Sequence, residues 1–286
     1  MPLSSRVLVI GATGTLGGEV VRQLAAEDVT IRAMTRHPEA ASLPAGLEVV
    51  QGDLTRPESL EPALRDVEAV FLVWTAPATT VSAAIQQIGE QTSRIVFLSA
   101  PHRTPHPFFQ QPNPMARLHA SIEQAIADTG VAATIIRPGM LASNAAAWWG
   151  PQIRSGDDVR WAYVAAASAP IDPRDIGAVA VRALRDRSNA SDDYVITGPQ
   201  ALTHADQVRI IGEVIGRSLR FQELSPNEFR QCFSGNAPPA VIDMLLNAWS
   251  ASVGIPPFMT RSVQDVTGRP ARNFHQWVAD HAPLFR

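Results

Sequence analysis

The chain has no lysine; all 24 residues of its lysine-plus-arginine count are arginine. That excludes Schiff-base chemistry and any lysine-borne proton relay, because a guanidinium keeps its proton at every working pH. Cysteine is almost as scarce. Cys232 stands alone, so neither an internal disulfide nor a cysteine-built metal cluster can form. Only two tyrosines occur, Tyr163 and Tyr194. No apolar run approaches the roughly 18 residues that span a bilayer. The opening "MPLSSRVLVIGATG" is too short in apolar residues to serve as a secretory leader. Like charges never gather into a tail, and a net charge of -3 argues against nucleic acid or an anionic membrane as a general partner. His204, His275 and His281 share no metal-ligand spacing, so no metal is expected. The expectation is a cytoplasmic protein with neither a nucleic-acid nor a membrane partner.

What the chain does have is a repeated alternation. "RVLVIG" (6–11), "VTIRAM" (29–34), "LEVVQG" (47–52), "AVFLVW" (69–74), "RIVFLS" (94–99) and "ATIIRPG" (133–139) are short apolar runs that read as strands buried on both faces. Between them lie amphipathic stretches such as "LGGEVVRQLAAE" (16–27) and "HASIEQAIADTG" (119–130), and "DDYVITG" (192–198) adds a late strand. Strand, helix, strand, repeated, specifies an α/β fold: a Rossmann-type doubly wound parallel sheet. Residues 1–140 form the expected dinucleotide-binding domain, with 170–198 contributing a helix and the late strand. Residues 141–169 and 199–286 form a small, mostly helical substrate lobe. In that lobe Thr203 is the expected cap of a helix, and "WWGPQIRSGDDVRWAY" (148–163) reads as irregular and aromatic.

The sequence "VLVIGATGTLGG" follows the first strand and opens the first amphipathic helix, with Gly11, Gly14 and Gly17 in a G-x-x-G-x-x-G pattern. In that context the glycines serve a dinucleotide. One allows the tight turn, one lets backbone approach the pyrophosphate, and one lets helix pack on strand. Ligands of such sheets bind beyond the carboxyl ends of the strands. That rule picks Gly11, Thr13, Thr15 and Leu16 after the first strand, Thr35 and Arg36 after the second, and Asp53 and Leu54 after the third. It then picks Thr75 and Ala76, Ser99, and Pro138 with Gly139. Asp53 serves either the adenine amino group or the cap of the next helix. An NAD-selective protein places a carboxylate at the end of the second strand. This chain has Thr35 and Arg36 there and no carboxylate between Asp28 and Glu39, so the expected cofactor is NADP(H), with Arg36 on the 2′-phosphate.

Together "GATGTLGG", "GDLTRPESL", the "HASIE" helix, "TIIRPGMLASN", "PIDPRDIGAVAVRAL" and "YVITGPQALTHADQVRIIGEVIGRSLRF" resemble the atypical short-chain dehydrogenase/reductase superfamily, and within it the NmrA-like branch. The resemblance covers roughly residues 6–225. It implies a dinucleotide fold, and it implies a serine at the end of the fifth strand and Tyr-x-x-x-Lys on the next helix. Ser99 matches the serine. Aligned on Glu123, the helix offers Met115 in place of the tyrosine and His119 in place of the lysine. The expected proton donor is therefore His119, which lies inside the helical stripe of Met115, Leu118, Ile122 and Ile126; Tyr163, the one phenol outside a strand; or water. The loop "PHRTPHPFFQQPNP" (101–114) falls where the family lays a lid. Asn144, Trp148, Trp149, Trp161 and Tyr163 either line an aromatic mouth or pack the lobe.

The reading is an NADPH-dependent oxidoreductase that reduces a small hydrophobic carbonyl, quinone or conjugated double bond, with catalytic residues His119, Tyr163 and Ser99. Its partner is a small hydrophobic substrate, aromatic if the tryptophans line the mouth, and a homo-oligomer is compatible with the sequence. A redox-silent dinucleotide sensor, or a cyclase or isomerase on the same fold, are the alternatives.

Overall fold

The computed structural model describes residues 6–186, 192–235 and 237–286; the first five residues of the N-terminal stretch lie outside it. The chain divides into two compact units. The first comprises residues 1–100, 114–138 and 173–195, the second residues 101–113, 139–172 and 196–286.

In the first unit the apolar runs are strands: β1 (Arg6–Ile10), β2 (Thr30–Thr35), β3 (Glu48–Gln51), β4 (Ala69–Leu72), β5 (Arg94–Leu98) and β6 (Ala132–Pro138). With β9 (Asp193–Ile196) they form a seven-stranded sheet in the order β3-β2-β1-β4-β5-β6-β9. The pairings from β3 to β6 are parallel, and the Ile135 and Gly139 N–H groups donate to the carbonyls of Asp192 and Ile196 at the two ends of β9. Alternate residues point to opposite faces. Leu8, Ile10, Val70, Leu72, Ile95 and Phe97 join one core with Ile85 and Ile88 of α3 (Val81–Gln91) and Ile122 and Ile126 of α4 (Pro114–Thr129). The intervening Val7, Val9, Phe71 and Val96 are equally buried on the other face. There α1 (Thr15–Leu24) packs with α6 (Pro173–Arg185), and the Gln23 amide donates to the Arg174 carbonyl. A short α2 (Glu61–Leu64) precedes β4. Helix α4 begins five residues before the stretch read as helical, because Pro114 suits a first helical position, where its missing N–H costs nothing.

The second unit corrects one expectation. The segment read as irregular is ordered: α5 (Asn144–Ser155) carries Pro151 in its interior, and β7 (Asp158–Ala162) follows. Within the mostly helical C-terminal lobe, β11 (Arg220–Leu224) pairs in parallel with β7. A second small ladder joins β8 (Ala167–Ser168) to β10 (Leu202–Thr203). Thr203 caps α7 (His204–Ile215) as expected, in a reciprocal box with Asp206. The helices α8 (Pro226–Phe233), α9 (Pro239–Ser252), α10 (Ser262–Thr267) and α11 (Phe274–Asp280) complete the unit. Among the described residues no helix is long and apolar enough to cross a membrane.

Candidate functional site

Parallel strands end at one edge, and the strand order reverses between β1 and β4, so the crevice beyond their carboxyl ends is the natural ligand position. The glycine loop lies there. Gly11 has φ +84°, and a side chain on it would meet Val73 at 2.9 Å. A Cβ on Gly17 would come within 2.2 Å of the Gly11 carbonyl oxygen, so only glycine lets α1 start this close to the loop. Gly14 is the N-cap of α1 in extended geometry, and no side chain caps the helix. The first N–H groups of a ten-residue helix therefore face outward with its positive dipole end, an anion-binding arrangement. Thr13, Gly14 and Thr15 are exposed and Leu16 is half-buried around that end.

Arg36 follows β2 and is exposed; among the described residues no side chain hydrogen-bonds its guanidinium. Arg32 cannot replace it. Its side chain is buried, donating to the carbonyls of Pro62, Ala63 and Arg65 and pairing with Glu48 at 2.7 Å. Asp53 uses one carboxylate oxygen to accept from the N–H and hydroxyl of Thr55 at 2.9 and 2.8 Å. The backbone bond from Thr55, aided by its hydroxyl and by the nearby Arg56 and Arg36, holds this carboxyl below the usual aspartate range despite some desolvation. Asp53 is thus an ionised acceptor that already closes a turn. Leu54 is buried in the core, so only its backbone could meet a ligand. Thr75 is exposed, and the turn it shares with Ala76 is fixed by the Trp74 indole donating to the Ala76 carbonyl at 2.6 Å. Pro138 is buried at the end of β6.

Ser99 stands where expected, directly after β5, but its side chain is already engaged. It is 5% exposed, and its hydroxyl donates to a Glu123 carboxylate oxygen. Arg137 approaches the same hydroxyl at 3.4 Å and grips Glu123 with two bonds of 2.6 and 2.9 Å. The other edge of the guanidinium pairs with Asp193 at 2.6 and 3.0 Å. Burial alone would lower the Arg137 pKa; the bonds to Glu123 and Asp193 outweigh it and leave the pKa raised. Ser99, expected as a catalytic and cofactor-contacting residue, thus has its hydroxyl proton committed to a buried network with Glu123 and Arg137.

His119 is half-buried on α4, with its ring 5.9 Å from Phe97 of β5, so it faces the sheet. Nδ1 lies 2.9 Å from the Met115 carbonyl oxygen. A carbonyl only accepts, so Nδ1 carries the hydrogen and Nε2 is the nitrogen at which a proton is gained or lost. Met115, in the tyrosine position, is 47% exposed. Tyr194 is held as a phenol: burial and its bond to Asp192 push its pKa up to about 12.

Tyr163 belongs to the second unit, at φ +53°, a conformation uncommon for a residue with a side chain. It packs half-buried against the aromatic core of that unit. The same core settles the role of the tryptophans. Trp149, Trp161 and Trp249 are 0%, 3% and 1% exposed and contact one another, His204 and Phe229, with Trp148 packed alongside. They build the interior of the unit, not a mouth. A small recess of this unit, with a volume of about 10 Å³, is lined instead by His106, Phe108, Phe109, Met140, Thr197 and Phe258, among others. The proline-rich loop 101–113 thus supplies pocket walls. Its histidines and phenylalanines were visible in the sequence, whereas nothing there signalled the contribution of Met140 or Phe258.

The sequence model of the NmrA-like family matches residues 3–249. A (4-alkanoyl-5-oxo-2,5-dihydrofuran-3-yl)methyl phosphate reductase of Streptomyces griseus is 37% identical, over 98% of this chain and 99% of its own. An NAD(P)H azoreductase of Xenophilus azovorans is 30% identical, again over 98% and 99%. Among solved structures, the triphenylmethane reductase of Citrobacter complexed with NADP(H) superposes with a TM-score of 0.82 at 20% identity, over 97% of this chain and all (100%) of that one.

Proposed function

Because the chain belongs to the NmrA-like family, we propose that it is an NADPH-dependent oxidoreductase that reduces a small hydrophobic carbonyl, quinone or conjugated double bond. The observation that carries this reading is the uncapped start of α1 behind Gly11, Gly14 and Gly17, with Arg36 exposed at the end of the neighbouring strand. A pyrophosphate suits the first, a 2′-phosphate the second. Two relatives at 37% and 30% identity, each matched over 98% of this chain, are reductases, which supports the same reaction class.

Bound NADPH supplies a hydride. The chain supplies binding, orientation and a proton. Backbone N–H groups of Thr15 and Leu16 would hold the pyrophosphate, Arg36 would hold the 2′-phosphate, and Asp53 would accept from the adenine amino group. His119 is the proton donor, acting through Nε2 while Met115 fixes the other ring nitrogen. Quinones and extended π-systems need only a weak acid, since the developing charge is delocalised. That accommodates the absence of a Tyr/Lys pair. Ser99, Glu123 and Arg137 position the end of β5 and α4 rather than touch the acceptor.

The test is NADPH oxidation, followed at the nicotinamide absorbance, with a panel of neutral quinones and azo dyes. Turnover that falls about 10²- to 10⁴-fold in His119→Ala, the range for a general acid, with NADPH affinity unchanged, is the expected result. Tight NADPH binding with no acceptor reduced by the wild type would overturn the reductase reading in favour of a sensor. An unchanged rate in His119→Ala would move the proton donor to Tyr163 or solvent.

A further inference from the structure

Strands β2 and β3 run in parallel, with Thr35 opposite Gln51 and the Gly52 N–H bonded to the Thr35 carbonyl at 3.0 Å. The residues that follow them therefore emerge side by side at the carboxyl edge of the sheet. Arg36 and His37 leave one strand, and the turn from Asp53 to Ser59 leaves the other. That turn is rigidly built. The Arg56 N–H donates to the Asp53 carbonyl at 2.9 Å, and the Arg56 carbonyl accepts from the Ser59 N–H and hydroxyl at 2.8 and 2.7 Å. Pro57 restricts the Arg56 backbone further, keeping it out of the helical region at φ -132° and ψ 82°.

All this order fixes the backbone, and the guanidinium stays free. The Arg56 side chain is 61% exposed, and Nε lies 3.9 Å from an Asp53 carboxylate oxygen, beyond hydrogen-bond reach. Arg36 is in the same condition: Gln51 donates to its carbonyl at 3.1 Å, and its guanidinium is exposed. Asp53 responds to both. After the Thr55 backbone bond, which lowers its carboxyl pKa most, the charges of Arg56 and Arg36 each lower it further. Glu39 and Glu58, the other carboxylates of these two turns, are exposed and form no ion pair with either arginine. A carboxylate suits the adenine amino group but repels a phosphate on the neighbouring ribose. A second cation beside it offsets that repulsion.

We propose that Arg56 is a second coenzyme-selecting residue: Arg36 bonds the 2′-phosphate directly, while Arg56, fixed on its turn beside Asp53, adds attraction through its charge alone. A phosphate monoester carries about 1.5 to 2 negative charges near neutral pH, so a guanidinium several ångströms away still acts on it in dilute salt. Placing a 2′-phosphate at this corner rests on the NADPH reading above; the rigid turn and its free guanidinium do not.

The experiment titrates the full-length wild type, Arg56→Gln, Arg56→Lys and Arg65→Gln by calorimetry. The probes are NADPH, adenosine 2′,5′-bisphosphate and adenosine 5′-monophosphate. Glutamine keeps amide donors without the charge, and lysine keeps the charge without the planar fork. Arg65, exposed ahead of the amino end of β4, controls for net charge. The reading is the preference for the bisphosphate over the monophosphate. Arg56→Gln should lower it about two- to tenfold in dilute salt, and the difference should vanish in about 0.5 M sodium chloride. Lysine should restore most of it, Arg65→Gln should leave it in place, and monophosphate affinity should hold throughout. Equal weakening of both nucleotides by Arg56→Gln would mean that the residue serves the base or the turn, and a lysine that restores nothing would mean a hydrogen bond. Arg65→Gln matching Arg56→Gln would reduce the effect to net charge. Each of these overturns the proposal. NADPH binding with an unchanged preference in Arg56→Gln overturns it alone, whereas a wild type that binds neither NADPH nor the bisphosphate overturns the coenzyme reading with it.

Discussion

Gly14 and Gly17 lie three residues apart on one loop and would tolerate a side chain very differently. A Cβ on Gly14 has only the Gly11 carbonyl oxygen nearby, at 3.4 Å, and its φ of -85° suits any L residue. On Gly17 the same atom would sit 2.2 Å from that oxygen. Gly14→Val is therefore expected to fold and to lose NADPH binding, because its side chain occupies the approach to the helix N-terminus. Circular dichroism with calorimetry checks both halves, and unchanged NADPH affinity in the folded variant would refute the loop's role. Arg36 carries the coenzyme preference. A hydrogen bond to a charged group contributes about 1.5–3 kcal/mol, so NADPH should bind roughly tenfold to a hundredfold more tightly than NADH. Arg36→Ala should erase most of that difference by weakening NADPH alone. Dissociation constants for both coenzymes decide it, and equal affinities in the wild type would sink the assignment.

Four elements meet at Arg137: α4 through Glu123, the end of β5 through Ser99, β6 itself, and β9 through Asp193. The pair with Glu123 is buried on both sides, at 2% and 6% side-chain exposure. Removing one partner of such a pair leaves a buried charge and typically costs about 3–5 kcal/mol. Arg137→Leu should therefore lower stability by that order in denaturant titration, and adding Glu123→Leu should recover a good part of the loss. A double variant as unstable as the single one would mean that the ion pair is not what holds these elements. This network also marks the limit of what the sequence discloses. The sheet could be read from apolar runs because a strand buried on both faces must be apolar throughout. The glycine loop could be read from its place between strand and helix. Ser99, Glu123 and Arg137 are each visible as residues, but their meeting depends on register between β5 and β6 and on the rotation of α4. Neither leaves a local pattern. The pairing of β7 with β11 was hidden for a related reason: "RFQEL" is short and its Arg220, Gln222 and Glu223 are exposed, so no alternation of buried and polar positions shows. Helix α5 was masked by Gly150 and Pro151, which read as a break and are instead absorbed within it.

Each unit has its own interior, and the two differ in kind. The sheet unit is filled with aliphatic side chains, whereas five of the six tryptophans, Trp148, Trp149, Trp161, Trp249 and Trp277, belong to the second unit. Enclosed among them is His204, 3% exposed, its Nδ1 donating to the Ala162 carbonyl at 3.2 Å. Burial pushes its pKa down from 6.5 to about 4, against the raising effect of the Ala162 and Tyr163 carbonyls. In the unfolded chain the same imidazole takes its proton near 6.5. As pH falls from 6.5 toward 4, the unfolded state therefore binds a proton that the folded state refuses, and stability drops. Below about 4 both states are protonated and this contribution levels off. The size follows from the shift: with about 1.4 kcal/mol per pH unit of difference, the loss is on the order of 3 kcal/mol. The carboxyls of Asp53 and Asp206 have pKa values below the usual range, so they lose their contribution only at lower pH. The tryptophans make fluorescence a reporter of the second unit, so urea unfolding followed by emission at pH 7 and at stepwise lower values isolates the effect. His204→Gln, which stays neutral and keeps a donor for Ala162, should flatten the curve between pH 6.5 and 4 relative to wild type. The other six histidines are common to both proteins, so their contributions cancel in the difference. A variant that loses stability over this range as steeply as wild type would show that the acid sensitivity of the second unit comes from elsewhere.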